Sequence, residues 1–475
     1  MSIRTGTGTA VTSSNDRQVR RALSPVERWY WMCDQISPLN VVARVRVRGH
    51  LPAPVLAAAA AALTAEHPLL RVSIDSAVDG TSPHFVAPVD PLVPIRTVVL
   101  EQEDPDAWQR EIDTVELPTR LDWRRRPLLR LVDIAQAGAT PDETHDVVLT
   151  VAHTVADGTT ALSLLRRLVE LADRLRDPAV TVAEIIDARD PLPAPEQLLP
   201  KRFRGARGVG YAVAAGIGDQ VVSATARACR LEPEVPVAPA DRRSRLLHRE
   251  LDATRLAALI ERCRAEGVTV HSALAAALAA AIGEEIAPGR DGRIGVGSPI
   301  DFRAELDPIV PQQDAGAYVA TVPVGVHFGP SLGMWQSARR LHRGLLRRRR
   351  CQQHLALLVT LRFLCPKSVA TSARAIAMVE ATGPGNVCLS NIGHYEFANR
   401  VGNWTLAGAQ FIAGVSVSGF FVGTVNTTHA TLHWNFTYIE TVVSAARAAR
   451  IADAAIRILL AESTPRSSST EGSNA

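Results

Sequence analysis

The chain is poor in cysteine, in aromatic residues and in net charge. Its six cysteines, Cys33, Cys229, Cys263, Cys351, Cys365 and Cys388, are scattered along 475 residues. There is no CxxC pair and no Cys/His spacing that suits zinc, which argues against a disulfide framework or a zinc-ribbon class. Free thiols in a reducing cytosol account for them. Lys+Arg 52 against Asp+Glu 48 leaves +4, not the concentrated basic footprint of a dedicated nucleic-acid binder. Long apolar runs are missing too. None approaches the roughly 18 residues a membrane span needs, and the Ala-rich stretches Ala57–Ala62 and Ala273–Ile282 read as buried helices. The N-terminus lacks the apolar core of a signal peptide. The expectation is a soluble, cytoplasmic monomer with no integral membrane span and no nucleic-acid partner.

What the chain does have is material for cores. It is 47% hydrophobic and 21% charged, ordinary globular proportions at a length that suits two domains or one bilobed unit. Residues 1–20 and 463–475 are polar and read as disordered. Ser24-Pro25 reads as an N-cap followed by proline at the first helical position. In VVARVRVRG, valines alternate with Arg44, Arg46 and Arg48, which predicts a strand with one wet face. Helix is expected over PAPVLAAAAAALTAEHP, and again over TTALSLLRRLVELADRL, where Leu162, Leu165, Leu168, Val169 and Ala172 form a stripe. RPLLRLVDI and HDVVLTVAH read as antiparallel neighbours.

From about Arg176 to Arg243 prolines crowd in, around the basic, Gly-rich KRFRGARGVG. This reads as a crossover. After it the strand–helix–helix–strand order returns. Later strands are expected at Tyr318–Phe328, Val387–Leu389, Val415–Val425 and Ala430–Tyr438, and later helices at Met334–Arg350, Val369–Thr382 and Ile439–Leu460. The inferred architecture is α/β, with an N-terminal lobe over 21–178, a crossover over 179–242 and a similar C-terminal lobe over 243–462.

The stretch that carries chemistry is VAHTVADGTTAL, Val151–Leu162. A strand delivers His153 to a short loop that runs into a helix. Histidine titrates near working pH, which suits a general base. Asp157 either buffers an imidazolium or pins the loop by pairing with an arginine. Gly158 allows something to approach the backbone, having no Cβ. A lone His-x-x-x-Asp-Gly also occurs by chance, with a capping Asp and a surface His. No metal site and no GxSxG elbow is apparent.

The motif has company. LSPVERWYW at Leu23–Trp31, AEHPLLRV at Ala65–Val72, RRPLLRLV at Arg125–Val132, GVTVHSALAAALAAAI at Gly267–Ile282, IDFR at Ile300–Arg303 and SNIG at Ser390–Gly393 occur in order. With HxxxDG, these resemble the condensation-domain and CoA-dependent acyltransferase superfamily over about Ala22–Glu462. The likeness is strongest to bacterial polyketide-associated acyltransferases and freestanding condensation enzymes. Ala152 stands where amino-acid-condensing domains usually carry a first histidine, and the DFGWG motif of plant acyltransferases is absent.

The resemblance implies two chloramphenicol-acetyltransferase-like lobes forming a V, with a tunnel between them. It implies His153 as general base in transfer from a CoA or phosphopantetheine thioester to a hydroxyl acceptor, with no covalently bound cofactor. Asp157 would be structural, paired with Arg303, for which Arg71 and Arg130 are rivals; Arg303 could instead contact a partner or be a solvated charge. Ser390 or Asn391 would serve the oxyanion, or SNIG would be a turn. An acyl carrier protein or polyketide synthase would act in trans, because the chain holds no carrier segment. LLRRRRCQQH could meet CoA phosphates or a carrier helix, or be a wet helix face; KRFRGARG could border the tunnel mouth. Amide formation and a non-catalytic recruitment role remain as alternatives.

Overall fold

The structure is a computed structural model that describes residues 18–102, 104–136, 143–225, 228–382, 386–417 and 419–463. Most of the two expected disordered ends lies outside these residues. Val19, however, is buried in the first core, and Ser463 still belongs to the last helix.

The first half runs α1 (Pro25–Ile36), β1 (Asn40–Arg48), α2 (Ala53–Glu66), β2 (Ser73–Asp75), β3 (His84–Val86), β4 (Ile95–Leu100), α3 (Ala107–Glu111), β5 (Leu129–Gln136), β6 (Thr144–Ala152), α4 (Gly158–Arg174), α5 (Val182–Ile185) and α6 (Gly205–Thr225). The second half runs β7 (Ser244–Leu251), α7 (Ala253–Ala265), α8 (Val270–Ile286), β8 (Gly292–Asp301), β9 (Val319–Phe328), α9 (Met334–Arg350), α10 (Gln353–Leu364), α11 (Ser372–Thr382), β10 (Val387–His394), β11 (Arg400–Val401), β12 (Trp404–Ala413), β13 (Phe421–Thr428), β14 (Thr431–Ile439) and α12 (Ala445–Ser463). The helices start where local chemistry favours it. Ser24 and Glu27 form a reciprocal capping box ahead of Pro25, and Asp252 and Thr269 cap α7 and α8.

Two six-stranded sheets carry the fold, in the orders β11-β12-β1-β6-β5-β4 and β7-β14-β13-β10-β8-β9. Both are mixed: β4 with β5, and β10 with β13 and β8, are parallel, and the rest of each ladder is antiparallel. Each sheet covers its own helices, α2 and α4 on the first and α8, α9 and α12 on the second. The Pro-rich crossover is packed: Leu198, Leu199 and Phe203 share a buried cluster with Val26, Phe302, Tyr318 and Leu355. No single helix among the described residues is long and apolar enough to cross a membrane.

Four expectations differ from the structure. Trp404–Ala413, not anticipated as a strand, returns from the second half to pair with β1 in the first sheet, so the two halves of the chain exchange material. β13 begins only at Phe421, and α12 begins at Ala445, after the strand that ends at Ile439. β1 is not wet along the whole of its arginine side: Arg44 is buried, bonded to Asp146 and stacked over Trp108, and Arg46 shares the same carboxylate. Trp108 of α3 covers that face at Arg44, while Arg46 is partly exposed and Arg48 is exposed at the strand's end.

The sheets meet along β12, whose outer backbone is satisfied by side chains of the second sheet. Asn426 accepts from the Phe411 N–H at 3.2 Å and donates to the Ala409 carbonyl at 3.0 Å. Thr424 and Asn435 both donate to the Phe411 carbonyl, at 3.1 and 3.2 Å. Asn426 is fully buried. Asn426→Ala strands a donor and an acceptor in that seam and should cost roughly 1–3 kcal/mol for each unmet group. Denaturant unfolding measures it, and a variant as stable as the parent would show that the seam does not hold the sheets together.

Candidate active site at the junction of the lobes

β6 ends at Ala152, and His153 opens the turn that leads to α4. The strand is locked on both sides, by β1 and β5, so the turn inherits a fixed position. The His153 ring is only partly buried. Nδ1 is sealed from solvent without a hydrogen-bond partner; Nε2 is not sealed and makes no hydrogen bond to the described residues. One face of the ring lies on Tyr30, with centroids 4.0 Å apart and planes 7° from parallel. Burial pushes the imidazole below its ordinary value of 6.5; the backbone of His153 itself, the Asp157 carboxylate and the backbone of Ala156 pull less strongly the other way. The ring is therefore neutral at neutral pH, the form that accepts a proton.

Asp157 does not face the imidazole as a hydrogen-bond partner. Its carboxylate caps α4 through the Thr160 N–H at 2.9 Å and accepts from the Tyr318 N–H at 2.8 Å. It is paired with Arg303 at 2.9 Å, the two groups being 1% and 3% exposed. Arg303 also binds Asp301 at 2.8 Å, the Thr160 hydroxyl and the Gly316 carbonyl, and lies over the Tyr318 ring. Burial alone would raise the Asp157 carboxyl; the charge and hydrogen bonds of Arg303, with the two N–H donors, outweigh it and hold the group below the usual carboxylate range. Of the rival arginines, Arg130 is committed to Glu116, and Arg71 caps the short turn after α2. Ala156 and Gly316 complete the joint as a parallel bridge.

At Gly158 the structure shows the close approach anticipated there. A Cβ there would stand 2.4 Å from the Phe411 ring. What approaches this backbone is a core side chain of β12.

A cavity of about 920 Å³ lies between α4 and the second sheet. Such a volume falls within the range of small-molecule sites. Thr159 and Arg166 form one wall, and Ser298, Asp301, Arg303, Ser390 and Asn391 another. His153 is not part of the wall. Asn391 sits at a bulge of β10, its amide oxygen accepting from the Gly393 N–H at 2.7 Å, so SNIG continues a strand and is not a simple turn. Among the described residues neither the Asn391 amide nitrogen nor the Ser390 hydroxyl has a protein hydrogen bond. His342, Leu345, Leu346 and Arg349 of α9 line the cavity at helical spacing, which brings the edge of the Arg-rich run to it. KRFRGARG does not line it.

Sequence reasoning missed Tyr30, hidden in a helix that reads as core, and the pair His271–Ser298, joined at 3.1 Å in the cavity wall. The polar residue opening the otherwise apolar α8 was a usable signal for His271.

Two outcomes follow from this geometry. Asp157→Ala leaves Arg303 buried without its main partner and should cost roughly 3–5 kcal/mol. The contribution is present above the ordinary carboxylate range and fades as pH falls through the depressed folded value. A variant that stays fully stable yet inactive, by thermal and denaturant unfolding, would contradict the structural role. Gly158→Ala should cost roughly 1–3 kcal/mol through the clash with Phe411; wild-type stability in that variant would mean the contact relaxes freely.

Comparison with known proteins agrees with this architecture. The family described as the phthiocerol/phthiodiolone dimycocerosyl transferase C-terminus matches residues 240–397. No curated protein matches the sequence. Among solved structures, trichothecene 15-O-acetyltransferase from Fusarium sporotrichioides superposes with a TM-score of 0.71 at 13% identity, over 95% of this chain and 97% of that one. The condensation domain of monacolin K polyketide synthase gives 0.65 at 17%, over 94% and 98%. The epimerization domain from the third module of tyrocidine synthetase B gives 0.65 at 14%, over 94% and 97%. In fold the chain is similar to condensation domains and to this acetyltransferase along nearly its whole length, and residues 240–397 match the dimycocerosyl transferase C-terminal family.

Proposed function

We propose that the chain is an acyltransferase that moves an acyl group from a CoA or carrier-protein thioester to a hydroxyl acceptor in lipid, polyketide or related natural-product biosynthesis. The observation that carries this reading is the state of His153. Its ring is held neutral by partial burial, with Nε2 free, on a loop that Asp157 and Arg303 fix beside a cavity of about 920 Å³.

Nε2 takes the acceptor proton as the hydroxyl oxygen attacks the thioester carbonyl. The tetrahedral oxyanion needs donors, and the Ser390 hydroxyl and the Asn391 amide nitrogen are in the cavity wall without protein partners. Collapse breaks the carbon–sulfur bond, and the thiolate leaves with the proton that the imidazolium returns. Arg349, near the end of the Arg-rich run, lines the cavity and in this reading meets phosphates of the donor. An ester product fits Ala152 in the position before His153. A donor loaded on a separate carrier protein, and a cytoplasmic setting, belong to the same proposal.

Replacing His153 with alanine should lower kcat/KM by roughly 10²–10⁴ without changing the melting transition, measured with matched alcohol and amine acceptors on one thioester donor. In the parent, the acidic limb of the pH profile should lie below the ordinary imidazole value of 6.5, because protonation silences the base and burial delays protonation. Undiminished transfer by the variant would remove His153 from the reaction. Turnover of the amine alone would replace ester formation by amide formation.

A further inference from the structure

A second cluster of chemistry lies away from the HxxxDG loop, at the other edge of the second sheet. β7 and β9 are the two edges of that sheet; Tyr318, just before β9, bonds Asp157, whereas β7 carries His248 and Glu250. These two residues are separated by one position, so they share a face of the strand. In the β7–β14 ladder Glu250 stands opposite His433, and His248 opposite Asn435. The face they occupy looks toward the first lobe: Leu246, two residues back, packs with Trp108, Ile112 and Ile412, and the Trp108 ring meets His248 edge-on at 5.1 Å.

The geometry is that of three ligands around one point. His248 Nε2 is 3.5 Å from Glu250 Oε2, and His433 Nδ1 is 3.8 Å from the same oxygen. One ligand atom from each residue lies within 4.8 Å of the others. A tetrahedral zinc with bonds near 2.0–2.2 Å separates its ligand atoms by about 3.3–3.6 Å, so the two spacings to Glu250 nearly fit and the imidazoles close the site by drawing together by up to roughly 1–1.5 Å. His248 is already oriented: its Nδ1 is 2.7 Å from the Asn435 amide oxygen, which places the proton on Nδ1 and leaves the lone pair of Nε2 facing Glu250.

His433 supplies the independent observation. It is 3% exposed, and both its ring nitrogens are sealed without a hydrogen-bond partner. Buried polar atoms in folded proteins are nearly always satisfied, and here Nδ1 points at a carboxylate and a second imidazole with nothing between. Arg44 adds an opposing positive charge nearby but is itself bonded to Asp146, which Arg46 also pairs. Glu250 is 60% exposed, leaving the outer side open to water.

We propose that His248, Glu250 and His433 form a zinc site with water as the fourth ligand, bracing β7 against β14 where the second sheet faces the first lobe. The spacing of cysteines and histidines along the chain hid it, because the ligands come from two strands far apart in sequence and meet only through the ladder. The site takes no part in the acyl transfer proposed above, and its test does not depend on that reaction.

The test uses the full chain, free of affinity tags, equilibrated with buffered Zn²⁺ and analysed for bound metal by mass spectrometry, with Co²⁺ absorption as a report on geometry. The expected result is one equivalent of zinc per chain, a tetrahedral Co²⁺ spectrum and a melting transition raised by zinc. Glu250→Gln, at an exposed position that folding tolerates, should weaken binding at least roughly tenfold, and His433→Gln should abolish it. Sub-stoichiometric zinc in the folded parent, or uptake unchanged in Glu250→Gln, would overturn the assignment.

Discussion

The fold turns on one buried guanidinium. Arg303 reaches from the end of β8 across the lobe junction and holds the Asp157 carboxylate, the Thr160 hydroxyl and the Gly316 carbonyl, while Asp301 restrains its other nitrogen. A buried ion pair is weak evidence for net stability, since desolvation offsets much of the attraction. It is a strong geometric constraint, because either charge left alone in that place costs far more than the pair. The loop from His153 to Gly158 is thereby tied to the second lobe, although its own strand belongs to the first. The cavity beside it has walls from both lobes for the same reason.

That joint is one of several. β12 enters the first sheet from the second half of the chain, and buried amides and hydroxyls of β13 and β14 satisfy the backbone it would otherwise leave unmet. Phe411, on the same strand, packs where Gly158 has no side chain. The strand that crosses between lobes is thus also the strand that seats the HxxxDG loop from behind. At the far edge, Trp108 of the first lobe, with Arg44 over its ring, presses against β7. Relative movement of the lobes would have to break a charge pair, a polar seam and an apolar contact together.

Much of this was legible in the residues. The likeness to condensation and acyltransferase domains and the α/β character followed from ordered motifs, and the Ser24-Pro25 start signal and periodic stripes marked several helices. What was not legible has physical causes. WTLAGAQFIA mixes small residues with apolar ones and contains Gly408, whose φ of +62° marks a break in the β1–β12 register between Arg44 and Arg46; that bulge erases the two-residue alternation by which strands are recognised. The alternation in β1 was read correctly as a strand, but its arginine face is wet only toward Arg48 and buried at Arg44, because periodicity reports which residues share a face and not what covers it. Arg303 could be named as a candidate partner for Asp157, but only the fold separates it from Arg130, which is committed to Glu116. Tyr30 and His271 lie in helices whose apolar residues explain them adequately, so nothing local announces that one stacks on His153 and the other faces the cavity.

The saturation of Asp157 bears on how a base at His153 would work. Every strong interaction of that carboxylate is spent on Arg303, Thr160 and Tyr318, so it offers an imidazolium only a distant, already neutralised charge. Nδ1, sealed and unpartnered, offers no carboxylate to share the proton. A protonated His153 is therefore a high-energy species at this site, which keeps the resting ring neutral and makes it quick to surrender a proton once taken. Under the proposed reaction that asymmetry suits a step in which the proton moves from acceptor to leaving thiolate within one encounter: the environment that depresses the basicity of the ring also prevents it from trapping what it has accepted.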